Sequence, residues 1–237
     1  MTRLSVSRSE RGDVKPHFDA FEVETGPAAT VLDALLQVRR DQDRSLVVRH
    51  SCMHASCGTC GVRINGREML ACDSKVASLP AGKPIKVEPL AGQRLVADIA
   101  TDMADFYARF EAAGMPPVRV SEAPAGAEPP AGIKAFARFE GCIECGLCLS
   151  ACPVARTNRD FIGPAALAAA ARLVDEPRGR DPGPVLALAA EPDSVWRCSD
   201  AMECTAVCPS AVDPAQALLR IRRRVAADGV RRLFRRG

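Results

Sequence analysis

Residues 51–72 read SCMHASCGTCGVRINGREMLAC. Asn65-Gly66 stands between two short apolar-alternating runs, Val62–Ile64 and Glu68–Ala71, and predicts a two-residue hairpin turn, whose central positions favour residues tolerant of positive φ. Pairing Ile64 with Arg67 and counting back sets Cys60 opposite Ala71 and Cys72 opposite Thr59. Cys72 therefore arrives beside Cys60. Working outward, Leu4–Arg8 and Phe18–Glu24 predict a first hairpin around Gly12, Asp13 and Pro16. Thr30 and Asp33 form a capping-box pattern ahead of a helical stripe of Val31, Leu32, Leu35, Leu36 and Val38. Ile85–Glu88 reads as a further strand, so a small sheet wrapped around one helix is expected.

The spacing of these thiols carries chemistry. Cys52, Cys57 and Cys60 form C-x4-C-x2-C with Cys72 as a distant fourth, the arrangement of a plant-type 2Fe–2S loop. Gly58 and Gly61 let the backbone come close to bridging sulfides. Zinc is the structural alternative for four thiolates, although x4 followed by x2 is foreign to a zinc ribbon. A Rieske centre fails: Cys52-Met53-His54 supplies C-x-H, but Lys75 stands where the second histidine belongs. His54 reads as an exposed loop residue, and His17 and His50 have no partner pattern.

The second half turns helical. Val96, Ile99, Met103, Phe106 and Phe110 fit one face of a helix from Leu95 to about Gly114. Residues 115–132 hold five prolines and predict an extended strap. Further helices are expected near Lys134–Phe139, over Pro164–Val174, and from Pro214 to about Ala227. Asp213-Pro214 supplies a cap and a first-turn proline for the last of these, and Gly229 a terminator. The domains expected are 1–95 and 96–237.

Seven cysteines lie in this half. Cys142, Cys145, Cys148 and Cys152-Pro153 make C-x2-C-x2-C-x3-C-P, the bacterial ferredoxin run, in which the last cysteine serves the other cluster. Cys198, Cys204 and Cys208-Pro209 repeat the run with its middle ligand missing, and the vacant place falls at Ala201. Exchanging the cysteines that precede proline gives Cys142, Cys145, Cys148 and Cys208 to a 4Fe–4S centre. Cys152, Cys198 and Cys204 are left for a 3Fe–4S centre. All eleven cysteines are thereby used. Asp200, one residue from the vacant place, is a candidate oxygen ligand to a fourth iron, although soft ligands are the usual choice.

Composition bounds the rest. With 47% hydrophobic and 26% charged residues among 237, the chain is an ordinary packed protein. No apolar run approaches the roughly 20 residues that span a bilayer, and the opening residues lack the apolar stretch of a signal peptide. The net charge of +3 conceals a tail, 220–237, with eight arginines and one aspartate on a mildly acidic body. Such a distribution argues against nucleic acid as partner. The tail suits anionic headgroups, an acidic partner, or simply a solvated helix end.

With these motifs in hand, the sequence resembles the iron–sulfur subunit of succinate dehydrogenase and fumarate reductase over nearly its whole length. The resemblance rests on Ser51-Cys52 through Cys57-Gly58-Thr59-Cys60-Gly61, Leu70-Ala71-Cys72, Asp102-Met103 and Phe106-Tyr107. It continues in Gly141-Cys142 through Cys152-Pro153, residues 161–166, Val195-Trp196-Arg197-Cys198, Cys208-Pro209 and Asp213-Pro214. It implies an α+β chain: an N-terminal β-grasp 2Fe–2S ferredoxin-like domain followed by an α-helical ferredoxin domain. It implies a flavoprotein subunit carrying FAD and the dicarboxylate site, and membrane-anchor subunits where quinone binds. The chain would then sit peripherally on the cytoplasmic face of the inner membrane, relaying electrons through 2Fe–2S, 4Fe–4S and 3Fe–4S in turn. The chain itself has no glycine-rich dinucleotide fingerprint and no acid/base constellation, so the bond chemistry is expected elsewhere. Quinone-proximal positions map onto Pro153, Thr157 and Ser199. The family's usual tryptophan after Cys-Pro and polar ring after the first cysteine of the last motif are missing, which leaves the acceptor open. A second reading is the iron–sulfur subunit of a thiol-linked fumarate reductase or heterodisulfide-reductase-like complex, whose paired-cysteine CCG segments do not occur here. A zinc-stabilised adaptor is the reading outside redox chemistry.

Overall fold

Leu4 and Val6 are buried while Arg3 before them is exposed and Ser5 between them half-buried, the alternation of a strand with one wetter face. In the computed structural model, which describes residues 1–9, 16–115, 139–176 and 181–234, this strand belongs to the first of two compact units. That unit comprises Met1–Met103 with Ile143–Ala151; the second comprises Ala104–Cys142 with Cys152–Gly237. The break expected at 95/96 thus stands against a unit edge at 103/104, and a piece of the second cysteine run belongs with the first unit.

The first unit contains β1 (Thr2–Arg8), β2 (His17–Val23), α1 (Val31–Asp41), β3 (Gly61–Ile64), β4 (Arg67–Leu70), β5 (Ile85–Glu88), β6 (Leu95–Ala97) and β7 (Ala100–Thr101). Five strands form a mixed sheet in the order β2-β1-β5-β3-β4, with β1 and β5 parallel and the other neighbours antiparallel. Val31, Leu32, Leu35 and Val38 of α1 are all buried with Leu4, Val6, Ile64 and Val87, completing the β-grasp core. The capping box is present: Asp33 N donates to Thr30 Oγ1 at 3.2 Å and Thr30 N donates to Asp33 Oδ2 at 2.9 Å, worth about 1 kcal/mol. Ile64 pairs with Arg67, and Ala71 N donates to Cys60 O at 3.1 Å, the register counted from the turn.

Residues 95–103 correct the sequence reading. They form the β6–β7 hairpin, and the helix α2 (Ala104–Ala112) begins only after it. Asp98 stands at the turn with φ 49° and is buried. Its carboxylate accepts from Arg8 Nε at 3.0 Å, Ser9 N at 3.1 Å and Val47 N at 2.7 Å. A helix would carry Asp98 away from all three donors and leave buried charge unpaired, a cost that outweighs the weak helical stripe. Within the same unit, α3 (Leu147–Ala151) lies on β4: the fully buried Ser150 hydroxyl donates to Glu68 Oε1 at 2.9 Å and accepts from Ala91 N at 2.8 Å.

The second unit is helical: α2, α4 (Pro153–Thr157), α5 (Pro164–Val174), α6 (Gly183–Ala189), α7 (Glu203–Ala206) and α8 (Pro214–Phe234). The alanine run of α5 is buried on every side, so the low-complexity segment is close-packed core, where small side chains let neighbouring helices approach. Ala215, Leu218, Ile221 and Val225 give α8 its buried stripe against α5. Asp213 Oδ1 accepts from Gln216 N at 3.3 Å, as an N-cap does. The expected stop at Gly229 is not one: α8 runs through it, since an isolated glycine costs a helix only about 1 kcal/mol. The expected strap lies outside the described residues apart from Met115, and the expected Lys134–Phe139 helix apart from Phe139, which opens a short 3-10 turn.

Candidate functional site

In the first unit the chain from Cys52 to Cys60 has no regular structure, because Met53 (φ 63°), Ala55 (φ 60°) and Gly58 (φ 69°) turn it left-handed at three places. Alternation of this kind tips successive backbone N–H groups inward, the geometry of an anion nest. Here the groups they meet are sulfur. Cys52 Sγ accepts from His54 N (3.5 Å), Ser56 N (3.3 Å) and Cys57 N (3.3 Å), Cys72 Sγ from Ala55 N (3.2 Å), and Cys57 Sγ from Cys52 N (3.5 Å). The His54 N–H, with its neighbours, holds the Cys52 thiol down to about 7, whereas burial pushes Cys60 up to about 12. Donors collected on sulfur, with two of the four thiols buried and two half-buried, fit a 2Fe–2S group, which needs both negative sulfur and hydrogen bonds to it. Among the described residues no three Cys, His, Asp or Glu side chains close around one point as a single ion requires; the ligands of a cluster stand further apart, around several irons. His54 is an exposed loop residue, its Nδ1 against Cys52 O.

Cys145 and Cys148 also stand in the first unit, at the start of α3. Gly58 packs on Cys145 so closely that a Cβ there would lie 2.7 Å from both Cys145 Cβ and Ile143 O; one on Gly61 would lie 3.1 Å from Cys145 O. The glycines anticipated for approach to sulfide thus also permit approach of the second cysteine run. Cys142 and Cys208 stand in the second unit. There Arg172, buried, donates from Nε (3.0 Å) and Nη2 (2.6 Å) to Glu140 Oε1, holding the turn that carries Cys142. Val212 N donates to Cys208 Sγ at 3.4 Å.

Cys152, Cys198 and Cys204 line one cavity of the second unit, which holds about 390 Å³ of empty space out to its open mouth. Ala201 is part of the same wall, with Pro153, Phe161 and Leu218. Burial raises the Cys204 thiol to about 12 and raises Cys198 too, so these thiols become ligands only when a metal displaces their protons. A cavity lined by three sulfurs and mostly apolar side chains, with Ser199, Asp200 and Glu203 on one wall, fits a cluster held by three thiolates.

Of the positions read as quinone-proximal, Pro153 and Ser199 line this cavity and Thr157 does not. The Thr157 hydroxyl turns back onto its own helix, 3.2 Å from Pro153 O and from Val154 O. Asp200 is also at the cavity, but its carboxylate is paired with Arg222, which lowers its pKa. Arg222 was invisible as a site residue within an arginine-rich tail. The available signal was helical phase: counted from Asp213, it follows Ala215 and Leu218 on the inward side of α8. Arg220 pairs with Asp175 at 3.0 Å, and Arg224 and Arg231 approach Asp228, so much of the described tail charge is answered within the unit.

Known proteins share these features. A family model described as a 2Fe-2S iron-sulfur cluster binding domain matches residues 3–108, and one described as a 4Fe-4S dicluster domain matches residues 138–212. The fumarate reductase iron-sulfur subunit of Mycobacterium tuberculosis is 35% identical over 223 residues, covering 92% of this chain and 90% of that protein. The protein of the same name from an Escherichia coli O6:H1 strain is 34% identical over 209 residues (87% and 85%), and that of Haemophilus influenzae 32% over 221 (87% and 85%). A chain of the Mycobacterium smegmatis Sdh1 complex in its apo form superposes with a TM-score of 0.85 at 25% identity, over 96% of each chain.

Proposed function

Because the chain belongs to the family of fumarate reductase and succinate dehydrogenase iron–sulfur subunits, we propose that it links a flavin on one partner subunit to a quinone at a membrane-anchor partner. The proposed ligands are Cys52, Cys57, Cys60 and Cys72 for 2Fe–2S; Cys142, Cys145, Cys148 and Cys208 for 4Fe–4S; and Cys152, Cys198 and Cys204 for 3Fe–4S. When bound, the clusters supply one-electron carriers between a two-electron donor and a two-electron acceptor.

The chain's own residues set the conditions for that transfer. The N–H groups of residues 54–57 stabilise negative sulfur in the 52–60 loop and so favour the reduced state there. Gly58 and Gly61 allow two cysteine runs to touch without intervening side chains. Phe161, Pro164 and Leu218 keep water from the back of the third cavity, where a low dielectric strengthens every charge effect. Pro153 and Ser199 at that cavity are the residues proposed to approach quinone; Thr157, with its hydroxyl already engaged, serves α4. Among the described residues no helix is long and apolar enough to cross a membrane, which accords with peripheral attachment through an anchor on the cytoplasmic side.

The observation that carries this reading is the third cavity: three cysteines from two separate motifs meet there, and the remaining place is a methyl group, Ala201. The test is electron paramagnetic resonance on the complex purified without oxygen. The oxidised sample is expected to give the near-isotropic 3Fe–4S signal and the dithionite-reduced sample a 2Fe–2S signal, with flavin in a co-purifying subunit. Absence of the oxidised signal at full iron occupancy refutes the third assignment.

A further inference from the structure

We propose that Arg222 determines the nuclearity of the third centre by holding the Asp200 carboxylate off its open corner. The inference rests on the reading of Cys152, Cys198 and Cys204 as ligands of a 3Fe–4S centre.

Ala201, at the vacant place, is flanked by two residues in the left-handed region, Asp200 (φ 58°) and Met202 (φ 59°). That backbone brings a carboxylate to the ligand sulfurs: Asp200 Oδ1 lies 3.4 Å from Cys198 Sγ, and Asp200 lines the cavity. A carboxylate at that distance from a cluster thiolate is within reach of iron, and carboxylate oxygen is a competent, if harder, ligand to ferrous ion. Both oxygens are nevertheless committed elsewhere. Arg222 Nη1 donates to Oδ2 at 3.1 Å and Nη2 to Oδ1 at 2.8 Å, the two-pronged pairing for which guanidinium is shaped. The same group donates from Nε to Val195 O and from Nη2 to Cys198 O, each at 3.1 Å, so it is anchored to the loop on both sides of the ligand. With the Asp200 side chain 45% exposed, the pair adds little to stability. Its effect is positional: it engages the carboxylate that adjoins Cys198 and the vacant place, although Glu203 also lines the cavity.

Releasing that carboxylate opens a defined reaction. A reduced 3Fe–4S core, neutral over iron and sulfide, takes up one ferrous ion to become a dipositive 4Fe–4S core. Three iron–sulfide bonds and one iron–oxygen bond to Asp200 form, the ferrous ion gives up its water ligands to solvent, the Asp200–Arg222 hydrogen bonds are lost, and no electron changes hands. Ferrous ion is the co-reactant, and reduction of the centre supplies the receptive state.

The experiment uses the intact complex carrying Arg222→Gln, Arg222→Lys, or Arg222→Gln with Asp200→Asn, each reduced with dithionite in ferrous iron, desalted and reoxidised without oxygen. Arg222→Gln is expected to lose the oxidised 3Fe–4S signal and gain one iron per chain by Mössbauer and iron analysis. Arg222→Lys, which keeps a cation on Asp200, and the double variant, which has no carboxylate at position 200, are expected to keep the signal. Retention of the signal in Arg222→Gln overturns the inference. So does equal loss of the third centre from the single and double variants, which shows that Arg222 merely holds the loop together. A wild-type complex that lacks the signal refutes instead the 3Fe–4S reading underneath, and the inference falls with it.

Discussion

In the proposed ligand set, what separates the third centre from a four-thiolate one is a single methyl group. Ala201 occupies the wall where the first ferredoxin run has its middle cysteine, so Ala201→Cys is expected to complete a four-thiolate set. The oxidised 3Fe–4S signal should then disappear, a 4Fe–4S signal should appear on reduction, and quinone reduction should slow as the potential of the last carrier falls. An unchanged oxidised signal in that variant contradicts the ligand set. Two glycines make a sharper comparison at the same scale. Gly66 (φ +84°) has nothing within 4 Å of a built Cβ, so Gly66→Ala should cost only the left-handed penalty, about 1–2 kcal/mol. Gly58 (φ +69°) carries that penalty together with contacts at 2.7 Å to Cys145 Cβ and Ile143 O. Gly58→Ala should therefore lose more than Gly66→Ala in denaturant unfolding and lower the 2Fe–2S content read by visible circular dichroism, while Gly66→Ala leaves that content intact.

Elements were legible where their cause is local. Asn65-Gly66 fixed a register, Thr30 and Asp33 a helix start, and the cysteine spacings grouped Cys152, Cys198 and Cys204, which the fold does bring to one cavity. Residues 95–103 were misread because Val96, Ile99 and Met103 are spaced as a helix stripe, while the group that overrules them, Arg8, is 90 residues from Asp98 in sequence. Arg222 was missed for the same reason, its partner Asp200 being 22 residues away. Strong buried or clamping charges are decided by tertiary partners that no local window contains. The Arg8 cluster also predicts a pH effect. Hydrogen bonds from Ser45 and then Arg8 lower Asp43 from 3.8 to about 2. Its stabilisation is thus complete above the unfolded value and lost as pH falls from about 4 to 2. Asp43→Asn is expected to lower the urea midpoint at pH 7, and the gap from wild type should close in that acid window; a gap independent of pH contradicts the assignment.

At the scale of the molecule, the chain makes its first unit from two separated stretches. Ile143–Ala151 belongs with Met1–Met103, and Ser150 is the polar tie. Ser150→Ala leaves Ala91 N without its acceptor and removes a donor from buried Glu68. The expected cost is about 1–3 kcal/mol, with faster hydrogen exchange at the Ala91 amide than in wild type; unchanged protection there shows that other contacts hold α3. Synthesis gives the returning stretch a further meaning. Domains usually fold in the order they leave the ribosome, but here the first cannot close until its last helix has cleared the exit tunnel, well into translation of the second. Until then β4 lacks its covering helix and Gly58 its Cys145 neighbour, so the 52–60 loop of the growing polypeptide waits on a stretch translated long after it.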